Sequence, residues 1–138
     1  MAEALILDSE AVNALARPSE RASLAERSRA ILQVAHDRRA LVRVPAAVLA
    51  EVCRGARFDA AVDHLLKDRG ILVCDLTRAI AQRAGALLTK AKLSSEHAVD
   101  AFVVATALDF DAAVIATGDP SDIRRLAGAH RQVRVFSI

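Results

Sequence analysis

The chain has 138 residues, of which 54% are hydrophobic and 26% charged, and its formal net charge is +2. A chain of this size and composition can bury a substantial core as one domain, which excludes an intrinsically disordered protein. No apolar run approaches the roughly 18–20 residues that cross a bilayer, and no basic segment precedes the first apolar stretch, so neither a membrane span nor a signal peptide is predicted.

Short apolar runs alternate with helical stretches along the sequence. Strands are predicted over residues 4–8, 41–45, 71–76, 113–117 and 132–138. Helices are predicted over residues 9–16, 18–39, 46–55, 59–70, 77–93 and 95–110, and a short one follows Pro120. Strands separated by helices of this length are typical of βαβ units, in which neighbouring strands run parallel. The predicted fold class is therefore α/β, with three layers (α/β/α) and a mostly parallel sheet of about five strands.

Two of the predicted strands end on acidic residues. Asp8 ends the first strand, and Asp119 follows the fourth, with Asp122 three residues later. Each has a purely structural explanation, since Asp8 and Asp119 can cap the helices that follow and Asp122 suits a helix N-terminus. Ligands of parallel sheets, however, bind beyond the carboxyl ends of the strands, so the same positions can also serve a site.

Asp100 is the acid that local rules explain least. It lies in the apolar run HAVDAFVVATAL, where a buried, unpaired carboxylate would cost several kcal/mol or stay protonated. Glu96, four residues earlier on the predicted helix, adds repulsion between like charges. Glu51 lies in a second largely apolar stretch, VPAAVLAEVCRGA, although an exposed helix face could hold it. Residues that break local rules without local compensation are typical of functional sites.

One hypothesis accounts for Asp8, Glu51, Asp100 and Asp119 together. Carboxylates at two strand ends and on two helices beside the same crevice could bind a hard divalent cation, Mg²⁺ or Mn²⁺. Such a cation would offset the repulsion between the carboxylates, activate a water molecule and neutralise the charge that develops on a cleaved phosphodiester.

The order of these motifs resembles that of the PIN-domain ribonucleases, in particular the VapC-type toxins of bacterial type II toxin–antitoxin pairs. The most specific part is DAFVVATAL followed, after a short loop and a strand, by TGDPSD. The likeness extends over essentially the whole chain, which predicts a single PIN-like domain over residues 1–138. It implies a metal-dependent endoribonuclease that hydrolyses RNA phosphodiester bonds with Mg²⁺ or Mn²⁺. It also implies an RNA substrate, a cognate antitoxin protein and a homodimer.

The resemblance also carries site residues over to this chain. It implies four catalytic acids, Asp8, Glu51, Asp100 and Asp119. Three of them, Asp8, Asp100 and Asp119, are the implied metal ligands. In auxiliary positions the resemblance implies Ser9 as a small hydroxyl residue that steadies the site and Glu96 as an acid at its rim. It implies Thr117 as the residue that orients the loop before Asp119, and Asp122 as a fifth acid.

Arginine dominates the basic residues, since 16 of the 19 Lys and Arg residues are Arg. Arg can bind a phosphate through two parallel hydrogen bonds. Four arginines close to the elements that carry Asp8 and Glu51 are candidates for RNA binding: Arg17, Arg21, Arg54 and Arg57. Solvated helix surface is the alternative explanation for each of them.

The histidines and cysteines show no ligand pattern. The four histidines are scattered along the chain, and His97 is the one beside the acidic helix. Cys53 and Cys74 lack metal-binding spacing and predict free thiols in a reducing compartment. A cytoplasmic protein is therefore expected.

Two other functions use some of the same residues. A haloacid-dehalogenase-like phosphatase would take Asp8 as nucleophile and TGDPSD as its late metal-binding loop, but it has Glu10 where an Asp is expected and leaves Glu51 and Asp100 unexplained. A non-catalytic α/β interaction module would use its acids only as helix caps, which leaves Asp100 without a reason.

Overall fold

The computed structural model describes residues 3–68 and 70–138, which form five β-strands and seven α-helices. The strands are β1 (Glu3–Leu7), β2 (Leu41–Pro45), β3 (Ile71–Cys74), β4 (Ala112–Thr117) and β5 (Val133–Ser137). They form one sheet in the order β3-β2-β1-β4-β5, and each neighbouring pair among them runs parallel. The predicted α/β class with a parallel five-stranded sheet is confirmed.

The helices cover both faces of this sheet. They are α1 (Ser9–Ala16), α2 (Ala22–Asp37), α3 (Leu49–Val52), α4 (Ala56–Leu66), α5 (Arg78–Ala91), α6 (Ala98–Ala107) and α7 (Pro120–Ala127). Connections between parallel strands are right-handed, and the chain crosses the sheet in one direction from β1 to β3 and in the other from β3 to β5. Helices α1–α4 therefore lie on one face and α5–α7 on the other. The contacts agree, since α1 packs on α2, α3 and α4, whereas α5, α6 and α7 pack on one another.

The sheet order creates a crevice between β1 and β4. The connections leave these two central strands in opposite directions, which leaves the space beyond their carboxyl ends open to a ligand. Leu7 pairs with Ala116 in the register of the two strands. Asp8 and the turn after Thr117 consequently emerge side by side, although about a hundred residues separate them in sequence.

The core is deepest around β1. Ala4, Leu5, Ile6 and Leu7 are at most 2% exposed, because a central parallel strand is covered on both faces. Helix α6 packs across β1, β2 and β4, so it too is largely buried. Asp8 is thus the first residue beyond a rigid strand, which fixes the position of its side chain.

Several predicted helix boundaries are corrected. The helix predicted from Pro18 begins at Ala22, because the amide of Glu20 donates to the carbonyl of Arg17 in a turn instead. The helix predicted over residues 46–55 is a 3-10 turn, Ala46–Val48, followed by α3. The helix predicted over residues 59–70 is α4, which starts earlier and ends earlier; residue 69 lies outside the described residues.

Gly55 separates α3 from α4. Its φ of 107° is a conformation that L side chains rarely adopt, so the helical path cannot continue through it. Cys53 and Cys74 are free thiols, as predicted. Within residues 3–68 and 70–138, no helix is long and apolar enough to cross a membrane.

Candidate active site

Asp8 is the buried anchor of the site. It is 5% exposed, and its Oδ1 accepts a hydrogen bond of 2.9 Å from the amide of Ala11, as expected of a helix cap. Its Oδ2 accepts from the amide of Gly118 at 3.3 Å. Burial raises the pKa of Asp8 above its usual 3.8, while hydrogen bonds from Thr117 and the two amides oppose the shift. The carboxylate therefore caps α1 and at the same time contacts the turn after β4.

The turn after β4 presents Asp119 to the crevice. Thr117 is fully buried, and its Oγ1 accepts a 2.8 Å hydrogen bond from the amide of Asp119. Asp119 occupies the N-cap position of α7, but its side chain makes no capping hydrogen bond. The capping role that Asp-Pro suggests is thus not used, and the exposed carboxylate is available for another purpose.

Glu51 is held by the first residue of α1. It lies in α3, is exposed, and accepts a short hydrogen bond from the hydroxyl of Ser9 through its Oε1. Residues 42 positions apart are joined in this way, which supports the predicted steadying role of Ser9.

Asp100 lies at the start of α6, not in the middle of a long helix. The predicted helix over residues 95–110 is instead a 3-10 turn, Ser95–His97, followed by α6 (Ala98–Ala107). Such turns are frequent at helix N-termini, where the helix dipole favours an acid. The pKa of Asp100 is nevertheless raised to about 6, first by burial and then by the charges of Asp119, Asp8, Glu51 and Asp122. Burial and the gathering of acids around it therefore disfavour its ionised form.

These acids line one cleft beyond the carboxyl ends of β1 and β4. The cleft has a volume of about 270 Å³ and is lined by Asp8, Ser9, Glu10, Asn13, Glu51, Asp100 and Asp119. The structure thus brings together the four acids predicted as catalytic, from a strand end, a short helix, a helix start and a second strand end.

Comparison with known proteins identifies the family. The family profile described as the PIN domain matches residues 5–129. The chain belongs to the PIN domain family. Its members are nucleases, so the haloacid-dehalogenase-like alternative is set aside. No curated protein shows significant sequence similarity to this PIN domain.

Solved structures share the fold of this PIN domain. One similar structure is the crystal structure of VapBC2 from Rickettsia felis bound to a DNA fragment from its promoter. The TM-score is 0.67 at 11% identity, and the match covers 98% of each chain. A toxin–antitoxin complex from Klebsiella pneumoniae is similar with a TM-score of 0.65 at 18% identity, covering 97% of this chain and 99% of the other.

Two residues of the cleft were not predicted. Glu10 lies one residue past Ser9 on the first turn of α1, and its Oε2 pairs with Arg21 at 2.9 Å. Asn13 accepts a hydrogen bond of 3.3 Å from Arg17. A signal for Asn13 was present in the sequence, since it lies four residues after Ser9 and therefore on the same face of α1.

Two of the predicted auxiliary residues, Glu96 and Asp122, lie beside the cleft rather than in its lining. The side chain of Glu96 is 77% exposed and reaches Nε2 of His97 at 3.5 Å. The carboxylates that raise the pKa of Asp100 do not include Glu96, because the 3-10 turn removes it from the face of α6. Asp122 does act on Asp100, and its Oδ2 lies 3.3 Å from Nδ1 of His97.

The four predicted arginines each make a hydrogen bond or an ion pair with a residue of the cleft or with Glu20. Arg21 pairs with Glu10, and Arg54 donates to the carbonyl of Glu51 at 3.3 Å. Arg17 and Arg57 both pair with Glu20, at 2.9 and 3.0 Å, and both lie over the ring of Phe58, at 4.2 and 5.7 Å from its centre. The structure therefore places all four next to residues of the cleft or next to one another.

The donor set of the cleft fits a hard divalent cation. Carboxylate oxygens are the ligands that Mg²⁺ and Mn²⁺ prefer. Burial, and then the charges of the neighbouring carboxylates, raise the pKa of Asp100, and a bound cation would offset that repulsion.

Proposed function

We propose that this PIN domain is a metal-dependent endoribonuclease that hydrolyses RNA phosphodiester bonds. The observation that carries the proposal is the convergence of Asp8, Glu51, Asp100 and Asp119 on one cleft at the reversal of strand order. Capping explains only Asp8 among them, so a module whose acids merely cap helices accounts poorly for the cleft.

In this proposal Asp8, Asp100 and Asp119 hold Mg²⁺ or Mn²⁺, and Glu51 completes the acidic set. The cation would supply water activation and charge neutralisation at the scissile phosphate. The exposure of Glu51 and Asp119 lets both reach a substrate from solvent, whereas Asp8 is held at the floor by its two amide donors.

The remaining residues position these groups and bind the nucleic acid. Ser9 orients Glu51, and Thr117 shapes the turn that presents Asp119. Arg17, Arg21, Arg54 and Arg57 bind phosphates of the RNA strand along one side of the cleft. Guanidinium groups give such contacts bidentate geometry, and these contacts position the strand without reading its sequence.

The proposal extends to the biological partners. We propose that residues 1–138 form one domain and act as the toxin of a toxin–antitoxin pair, with a cognate antitoxin and a homodimeric assembly. The fold shared with the toxin–antitoxin complexes from Rickettsia felis and Klebsiella pneumoniae supports this part.

The test is cleavage of a mixed RNA pool with Mg²⁺ or Mn²⁺, and with EDTA as control. Wild type is compared with Asp119→Asn, which keeps a good helix-capping residue, and with Asp63→Asn, an exposed acid on α4 away from the cleft. Single-stranded DNA of matched sequence is tested in parallel.

We expect wild type and Asp63→Asn to cleave RNA only when the metal is present. Asp119→Asn should not cleave it. Equal cleavage by wild type and Asp119→Asn would contradict the four-acid site. If nothing is cut, thermal unfolding with Mn²⁺ separates a wrong substrate from a capping-only module, because only a metal-binding protein unfolds at a higher temperature when the ion is added.

A further inference from the structure

A histidine and two acids meet beside the acidic cleft. One ligand atom from each of His97, Asp100 and Asp122 lies within 4.8 Å of the others, and all three residues are half-buried. His97 ends the 3-10 turn before α6, Asp100 lies in the first turn of α6, and Asp122 lies in the first turn of α7. The packing of α6 against α7 brings them together.

We infer that His97, Asp100 and Asp122 form a second metal site, which takes a first-row transition ion such as Zn²⁺ in preference to Mg²⁺. Imidazole nitrogen suits Zn²⁺ and its neighbours in the first row, whereas Mg²⁺ prefers a shell of oxygen ligands. Asp100 belongs both to this site and to the acidic cleft. The inference rests on the proposed function only through this shared residue.

The geometry around His97 suits a metal-bound imidazole. Two ligands held about 2.1 Å from a tetrahedral zinc ion lie about 3.4 Å apart. Nδ1 of His97 lies 3.3 Å from Oδ2 of Asp122, close to that separation. Nε2, the opposite ring nitrogen, lies 3.5 Å from Oε1 of Glu96. Metal-bound histidines commonly donate their second ring N–H to a carboxylate, and Glu96 is the carboxylate beside this nitrogen.

Burial strengthens the assignment. The side chains of His97 and Asp122 are only 23% and 26% exposed, so both are held in place by their surroundings and would need little reordering on binding. The competing explanation is a plain ion pair, in which a protonated His97 balances Glu96 and Asp122. A metal ion needs the imidazole nitrogen as a ligand, whereas an ion pair needs only its positive charge. Zinc binding by a variant that lacks the imidazole therefore distinguishes the two explanations.

The test measures Zn²⁺ binding by equilibrium dialysis in excess Mg²⁺, so that oxygen-only positions are filled by Mg²⁺. Wild type is compared with His97→Gln, with Asp122→Asn and with His130→Gln, an exposed histidine outside the cluster. Thermal unfolding of each metal-free variant verifies that it is folded.

We expect Zn²⁺ affinity to fall at least tenfold in His97→Gln and in Asp122→Asn, a size usual when a group that supports a metal site is removed, and to stay unchanged in His130→Gln. Unchanged affinity in folded His97→Gln would overturn the inference and leave the ion pair. Asp8→Asn separates the two proposals, because Asp8 belongs to the proposed cleavage site and lies outside the cluster. This variant should lose RNA cleavage and keep its affinity for Zn²⁺. If the protein binds zinc through His97 but cuts no RNA, the proposed function is contradicted and the metal site is not.

Discussion

The amide of Gly118 donates a 3.3 Å hydrogen bond to Oδ2 of Asp8, joining residues that lie 110 positions apart at the ends of neighbouring strands. The opposite oxygen of the same carboxylate caps α1 through Ala11. Asp8 is therefore tied to both strands that border the cleft, so the two halves of the candidate site have a fixed spacing. Substitutions on either side of this link should change cleavage while the fold persists.

Asp100→Asn is expected to abolish RNA cleavage and to stabilise the metal-free protein above neutral pH. Because the pKa of Asp100 is raised from 3.8 to about 6 in the folded state, its stabilising contribution is complete below pH 3.8 and is lost as the pH rises through 6. Asparagine carries no charge and avoids this loss. Urea unfolding in EDTA should give a larger gain in unfolding free energy at pH 8 than at pH 4.

Asp63→Asn is the control for this pH dependence, since Asp63 is an exposed acid on α4. A gain in Asp100→Asn that is the same at both pH values would show that Asp100 is not forced to ionise against burial and its acidic neighbours.

Ser9→Ala is expected to slow cleavage while leaving the fold intact. The hydroxyl of Ser9 holds Oε1 of Glu51, and a hydrogen bond of this kind contributes about 1 kcal/mol, which corresponds to roughly a fivefold change in rate. Single-turnover cleavage measures the effect. Ser23→Ala, an exposed serine on α2, should cleave at the wild-type rate. An equally fast Ser9→Ala would remove Ser9 from the site.

Gly118→Ala is expected to disturb the cleft without unfolding the protein. A Cβ at this position would lie 2.6 Å from Oε2 of Glu10, so Glu10 must move, which disturbs its ion pair with Arg21. The pair is exposed and contributes little to stability, about 0–1 kcal/mol. Cleavage should fall while the unfolding temperature stays near that of wild type. A large loss of stability would show that the turn itself, rather than Glu10, resists the methyl group.

Arg57→Ala is expected to weaken RNA binding in a salt-dependent manner. Removing one arginine–phosphate interaction with a single strand reduces the slope of log affinity against log salt concentration by about 0.7. Binding is measured in an Asp119→Asn background, in which RNA is not cut. Arg29→Ala, an exposed arginine on α2, removes the same charge at another position. Equal effects of the two substitutions would indicate that Arg57 contributes only to the overall charge.

Local sequence determined the strands and most of the helices. The run ALIL predicts a buried strand by its hydrophobicity, and Asp8 follows at the point where that strand must end. Asp119, Pro120 and Asp122 predict the start of a helix, and α7 does begin there. Such features depend on neighbours a few residues away, so the chain encodes them directly. The boundaries near Pro18 and Ser95 were missed because turns and 3-10 segments compete closely with the first turn of a helix.

Only the tertiary structure decided which side chains meet. By sequence, His97 is one of four scattered histidines, yet the packing of α6 on α7 places it 3.3 Å from Asp122. The sequence also could not show that the side chain of Asp119 leaves its capping role unused. These contacts depend on the order of strands in the sheet and on how helices pack over it. Both are set by burial of the whole core, which no short stretch of sequence contains.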